Sequence, residues 1–201
     1  MEWKLINVTQ ETNHPFLNYF TLTYEVEKAD GKYTYSYFIA SRRSKENLVS
    51  VTKDYTKADG VLIPCYFVDP RNNLLSIIIT KQFRPALNTY VHSFPAGLID
   101  KNEDLLVAAK REAEEEVGVE VDNLEIIAKP SPTSSGLSDE MNSIVLAHVK
   151  KFTHTHLEEF EDIGYKIIPF KDLEEYLNNN FTALQIKIIS KYLLEKFKGK
   201  Y

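Results

Sequence analysis

Four carboxylates crowd into six residues of the chain, Arg111-Glu112-Ala113-Glu114-Glu115-Glu116, inside a longer run from Gly97 to Val119 that reads GLIDKNEDLLVAAKREAEEEVGV. Leu105, Ala109, Ala113 and Val117 recur at helical spacing, with Ala108 beside them, so the run is patterned as a helix with a close-packing core face. At 3.6 residues per turn Glu112, Glu115 and Glu116 share one face, where like charges repel by roughly 0.2–0.5 kcal/mol per pair. A divalent cation turns that repulsion into coordination. Mg²⁺ takes oxygen ligands, usually one or two carboxylates together with water and substrate phosphates, so this face points to a metal held for phosphate chemistry. A run such as Glu114 to Glu116 is ordinarily a solvated face; Gly97 and Arg111, in register with it, argue for the metal. Asn102 reads as the N-cap, with Glu103 and Asp104 complementing the helix dipole, and Gly118 as the left-handed residue that ends the helix.

The elements that must carry this helix can be read on either side. Phe20-Thr-Leu-Thr-Tyr-Glu-Val and Lys32-Tyr-Thr-Tyr-Ser-Tyr-Phe-Ile-Ala are aromatic and β-branched, and Ala29-Asp-Gly-Lys between them is a hairpin signal. They predict an N-terminal antiparallel sheet over residues 16–50, too small to stand alone. Strands follow near 60–68 and 74–80, separated by the breaker-rich Asp69-Pro-Arg-Asn-Asn, and another near 90–94. Beyond the acidic helix, strands are expected near 123–129, 142–149 and 164–169. Helices are expected over Lys171 to Leu177 and Thr182 to Phe197, the second with Leu184, Ile188, Tyr192 and Leu193 on one face.

At 201 residues and 43% hydrophobic, the chain can bury a substantial core. We expect an N-terminal β-sheet region over 1–55 and a main domain over 56–201. A net charge of −5 without a long basic run argues against nucleic acid as a partner. Cys65, the single cysteine, lies in an apolar run and is expected to be a buried strand residue. Eighteen apolar residues never run together, and the first residues lack a basic region followed by an apolar stretch, so a cytoplasmic protein without membrane contact is expected.

The spacing resembles the Nudix hydrolase box: Gly, five residues, Glu, seven residues, then Arg-Glu-U-x-Glu-Glu-x-Gly-U, with U a bulky aliphatic. Gly97, Glu103, Arg111, Glu112, Glu115, Glu116, Gly118 and Val119 stand where the pattern puts them, and only Ala113 departs. Gln82-Phe83-Arg84, Pro95-Ala96-Gly97-Leu98-Ile99-Asp100 and Gly136-Leu-Ser-Asp-Glu140 are similar to the ADP-ribose pyrophosphatase branch. The resemblance implies an α/β fold, the Nudix α/β/α sandwich with a mixed sheet, plus the small N-terminal antiparallel sheet. It also implies a homodimer in which that sheet is exchanged or shared and both subunits line each site.

As an activity, the resemblance implies hydrolysis of a nucleoside diphosphate linked to another moiety, with Mg²⁺ or Mn²⁺ as cofactor and ADP-ribose, cleaved to AMP and ribose 5-phosphate, as the first expectation. Another nucleotide sugar, a dinucleoside polyphosphate, or a non-catalytic nucleotide sensor are the alternatives. Glu112 and Glu116 match the metal-binding glutamates, with Glu115 as a third, and the Ala96 carbonyl and Glu161 as further ligands. Arg111 is expected to hold a neighbouring carboxylate in its ligating rotamer through a bidentate pair. The base falls among Glu158, Glu159 and Glu161, and the resemblance puts it at Glu159. His154 and His156 lack a third ligand at zinc spacing and read as solvent-exposed. Arg84 is expected on phosphate, with Arg43, Gly136 and Ser138 as further substrate contacts and Arg42 beside them. Trp3, Phe16, Tyr19, Phe20, Tyr35 and Tyr37 are the aromatic candidates for stacking on a base. Ser93 and Ser135 stand where branch members carry a glutamate and a proline, which leaves the second moiety of the substrate open. Glu116 is taken to lie on an exposed face, where its replacement would remove a ligand charge and leave the fold intact.

Overall fold

Alternation along the first strands lays one apolar face on a three-stranded antiparallel sheet: β1 (Glu2–Gln10), β2 (Asn18–Lys28) and β3 (Gly31–Ser41), in that order. Val8, Phe20, Leu22 and Ile39 share the face and are buried with Leu48, which leads into the short helix α1 (Val49–Thr52). The expected hairpin closes at Ala29-Asp30, with Lys28 opposite Gly31. β1 was not anticipated. Its register shifts between Leu5 and Asn7, and that irregularity breaks the period-two pattern by which a strand is read.

This computed structural model describes residues 1–157, 159 and 161–200. The chain divides into two compact units, one made of Met1–Asp59 with Lys129–Asn142, the other of Gly60–Ala128 with the chain from Ser143 onward. In the second unit Ile77-Ile78-Ile79 and Val145-Leu146-Ala147 are unbroken apolar runs, as strands covered on both faces require. They belong to β6 (Leu74–Arg84) and β10 (Met141–Phe152) of an eight-stranded mixed sheet. The others are β4 (Gly60–Leu62), β5 (Cys65–Asp69), β7 (Thr89–Ser93), β8 (Ala96–Leu98), β9 (Val119–Pro132) and β11 (Ile163–Pro169). The order is β11-β6-β5-β10-β4-β8, with β7 also on β6 and β9 on β10. β5 and β10 are parallel, and the pairs that β6 makes are antiparallel.

One sheet face packs Ile63, Cys65, Phe67, Ile78, Val145 and Ala147 against helix α2 (Leu105–Val117). The other packs Ile77, Ile79, Leu146 and Ile168 against α3 (Phe170–Asn179) and α4 (Leu184–Lys196). A helix layer on each face of a mixed sheet is the expected α/β/α sandwich. Cys65 lies at its centre, and burial pushes its thiol well above the usual range. The single strand expected over 60–68 is two, because Pro64 interrupts it and its carbonyl accepts from the Ala147 N–H. On α4 the buried stripe is Ile186, Ile189, Ser190 and Leu193. Leu184 and Ile188 are 70% and 62% exposed, so of the expected face only Leu193 is core. The sequence offers two apolar stripes on this helix, and the one that meets α3 and the sheet is buried.

α2 packs closely because Ala108, Ala109 and Ala113 put only methyl groups against the sheet. Its N-cap is Asp104, whose Oδ1 accepts from Leu106 N–H at 2.8 Å; Asn102 sits two residues earlier in a left-handed turn with φ 67°. Gly118 ends the helix with φ 60°, as expected. A Cβ on Gly118 would lie 3.0 Å from the His154 carbonyl carbon and the Thr155 nitrogen, backbone atoms that cannot swing aside. Gly118→Ala combines left-handed strain with this overlap and is expected to cost about 2–4 kcal/mol, measured as a shifted urea midpoint at unchanged slope. No described helix is long and apolar enough to cross a membrane.

Candidate active site

Strand β8 and helix α2 bring the acidic run together with Gly97. The strand pairs with β4, placing Val61 opposite Gly97 and Leu62 opposite Ala96, and α2 lies against it. Gly97 faces Glu112 so closely that an added Cβ would overlap the Glu112 carboxylate. Beside it, Glu116 Oε2 accepts from the Ala96 N–H at 3.0 Å.

Glu116 is 5% exposed, which overturns the expectation of an exposed face. It follows Ala113 in the turn that docks on the sheet, so its side chain is carried inward. Burial, with the charges of Glu112 and Glu161, pushes its carboxyl up to about 8, against the opposing pull of the Ala96 N–H and Arg84. Burial also raises Glu112, although Arg111 pulls the other way. Glu115 stands more open, at 40% side-chain exposure.

Arg111 is the hub. Its Nε and Nη2 donate to Glu103 Oε1 and Oε2, both at 2.9 Å, so its bidentate partner is Glu103. Its Nη1 donates to Glu112 Oε1 at 2.7 Å and Glu115 Oε2 at 3.0 Å, and Nη2 also reaches the Leu98 carbonyl. Glu103 takes the Asp100 N–H as well, and the Arg111 hydrogen bonds hold its carboxyl below the usual range. The acid expected to serve the helix dipole therefore braces the arginine. Planar guanidinium geometry makes this fork possible, and a lysine would satisfy one partner at a time.

Among the described residues no three metal-ligating side chains converge on one point, because Arg111 draws Glu112 and Glu115 toward itself. The donor chemistry nonetheless fits a hard divalent cation. Glu112 and Glu116 are oxygen donors held out of water beside one another, and a cation would relieve the cost of charging them.

Arg84 ends β6, exposed, with its charge acting on Glu116. Glu159 lies exposed in a turn, Glu161 is half-buried, and Glu158 lies outside the described residues. His154 and His156 are exposed, as expected; the His156 N–H donates to the Glu115 carbonyl. Ser93 is half-buried in β7, its carbonyl accepting from Thr80 Oγ1.

The other expected substrate contacts lie in the first unit. Arg43 pairs with Asp59 at 2.8 Å, and its Nε is buried without a hydrogen-bond partner among the described residues. Arg42 pairs with Glu140 and lies over the Phe16 ring. Gly136 accepts from the Tyr37 hydroxyl, and Ser138 Oγ accepts from the Glu140 N–H. Phe20 is fully buried in the sheet core, which removes it as a stacking platform; Trp3, Phe16, Tyr19 and Tyr35 are exposed.

The sequence model of the NUDIX domain matches residues 57–191, well over half of the chain. The chain belongs to the Nudix family. Relatives of this Nudix protein include the methanol dehydrogenase activator of Bacillus methanolicus, 31% identical over 103 residues that make up 50% of this chain and 55% of that one. The ADP-ribose pyrophosphatase of Saccharomyces cerevisiae is 36% identical over 76 residues, 38% of this chain and 33% of the yeast protein. The chain thus spans about half or less of the length of these relatives. A crystal structure of an ADP compounds hydrolase superposes with a TM-score of 0.71 at 21% identity, covering 100% of this chain and 96% of the other, a likeness of fold. Within the Nudix family, the chain resembles the ADP-ribose pyrophosphatase-like branch.

Proposed function

We propose that this Nudix protein hydrolyses the diphosphate of a nucleoside diphosphate linked to a sugar-like moiety, with Mg²⁺ as cofactor and ADP-ribose as the first substrate to test. The carrying observation is the pair Glu112 and Glu116: two carboxylates withheld from water beside Gly97, with raised proton affinity and one arginine shared among three acids. A nucleotide sensor has no use for so costly a cluster.

Glu112 and Glu116 would hold the metal, with Glu115, Glu161 and the Ala96 carbonyl as further donors. Bound there, a divalent cation would neutralise diphosphate oxygens and acidify the attacking water. Arg84 would take a phosphate oxygen with its guanidinium fork. Glu159 would accept the proton as the water oxygen bonds to phosphorus and the bridging P–O bond breaks, giving AMP and ribose 5-phosphate from ADP-ribose. Arg111 works at one remove, restraining Glu112 and Glu115. The names of the yeast pyrophosphatase and of the ADP compounds hydrolase support this substrate class. The proposal includes a cytoplasmic homodimer built through the N-terminal sheet, a reading supported by Trp3 and Tyr35, exposed on the same face as buried Leu22.

The test is phosphatase-coupled turnover across ADP-ribose, other nucleotide sugars, dinucleoside polyphosphates and NADH, with Mg²⁺ and with chelator, on material whose mass is set by sedimentation. A metal-dependent maximum on ADP-ribose is expected. A maximum elsewhere would turn attention to Ser93 and Ser135, and binding without cleavage would defeat the proposal.

A further inference from the structure

The loop that carries Glu159 and Glu161 is fastened at both ends. On its leading side the Thr153 N–H donates to the Gly118 carbonyl at 2.6 Å and the His156 N–H to the Glu115 carbonyl at 2.9 Å, so it leaves from the C-terminal end of α2. On its trailing side the Phe83 N–H donates to the Asp162 carbonyl at 3.1 Å, and the Tyr90 hydroxyl donates to Asp162 Oδ2 at 2.5 Å. Tyr90 and Phe83 are cross-strand partners on β7 and β6, with rings edge to face at 5.4 Å, and the Lys81 ammonium lies 4.5 Å above the Tyr90 ring. The phenol is thus held by its ring independently of its hydroxyl. Next to Asp162, Glu161 sits close enough for its charge to act on both Glu112 and Glu116.

We propose that Tyr90 and Asp162 are positioning residues: their hydrogen bond fixes the trailing stem of this loop and so sets Glu161 against Glu112 and Glu116. Their role is exercised through Glu161. The inference rests on the reading of the site as a metal-dependent diphosphate hydrolase. It adds a control point on β7, outside the box.

Tyr90→Phe removes the hydroxyl and keeps the ring, and Asp162→Ala removes the acceptor from the other partner while leaving the backbone carbonyl that takes the Phe83 N–H. Three quantities are read: kcat and KM on whichever panel substrate the wild type cleaves, Mn²⁺ affinity by calorimetry without substrate, and amide hydrogen exchange over residues 153–163 in chelator. Each variant is expected to lose about tenfold in kcat with KM within about twofold, to lose Mn²⁺ affinity by a similar factor, and to exchange faster. The double variant is expected to be no worse than the single ones, as for two halves of one interaction. Unchanged Mn²⁺ affinity and exchange in both variants would overturn the proposal. If the wild type cleaves nothing, the functional reading fails, while exchange and Mn²⁺ affinity still decide the clamp. If Tyr90→Phe fails to fold by circular dichroism, Asp162→Ala carries the same test.

Discussion

Glu116→Gln is expected to abolish turnover and, in the presence of chelator, to make the protein more stable at pH 8. The two effects share a cause. Glu116 is buried and its carboxyl is pushed up to about 8, whereas in the unfolded chain it ionises near 4.5. Between those values the folded protein holds a proton that the unfolded chain has released, so stability falls as pH rises through this window. Below about 4.5 both states are protonated and the penalty is absent; above about 8 it is complete, on the order of 5 kcal/mol. Glutamine cannot ionise, and its amide oxygen can still accept the Ala96 N–H that Glu116 accepts at 3.0 Å. Urea unfolding in chelator from pH 5 to 9 is therefore expected to show a declining wild-type curve and a flatter one for Glu116→Gln, crossing so that the variant is the more stable at high pH. Saturating Mn²⁺ is expected to stabilise only the wild type, by mass action. Turnover is expected to fall by roughly three orders of magnitude, the ~4 kcal/mol that a lost metal ligand removes from transition-state charge stabilisation. Near-normal turnover at saturating Mg²⁺ would defeat the metal assignment, and parallel pH curves would defeat the account of Glu116 burial.

What the sequence made legible here followed from regular periods and fixed offsets. The box helix was readable because its alanines and carboxylates fall at helical spacing, and Gly118 because a left-handed helix end selects glycine. Central strands announced themselves as apolar runs. Features that depend on three-dimensional competition were not readable. Both stripes of α4 are apolar, and only packing against α3 and the sheet selects Ile186, Ile189 and Leu193. Spacing alone puts Glu112, Glu115 and Glu116 toward a common side, yet the roughly 100° between successive helix positions separates a half-exposed Glu115 from a buried Glu116. The bidentate Arg111–Glu103 pair spans a turn ahead of the helix that no helical period describes. Tyr90 carried no signal at all, since its partner Asp162 is met through the pairing of β6 with β7 and β11.

Gly97→Ala is expected to separate activity from stability in the opposite sense to Gly118→Ala. Both glycines flank the acidic helix, and both would bring a new methyl group into contact. At Gly118 the obstacle is backbone and φ is positive, so the cost falls on the fold. At Gly97 the backbone is in a region open to alanine, and the obstacle is the far end of one flexible side chain, the Glu112 carboxylate. That carboxylate can swing away. Its removal from a partly buried position, where burial already raises its proton affinity, recovers solvation and offsets the loss of its 2.7 Å bond from Arg111. The melting temperature is therefore expected to move by only a few degrees, equivalent to about 1 kcal/mol or less. The ligand geometry cannot survive, because the position that Glu112 occupies against β8 is the one the methyl takes. Turnover is expected to fall at least about a hundredfold, about 3 kcal/mol in transition-state terms, with Mn²⁺ affinity falling alongside. A variant with wild-type turnover would mean that Glu112 works from a rotamer other than the one packed on Gly97. A variant that is both inactive and unfolded would mean that the close approach of β8 and α2 serves the fold before it serves the metal.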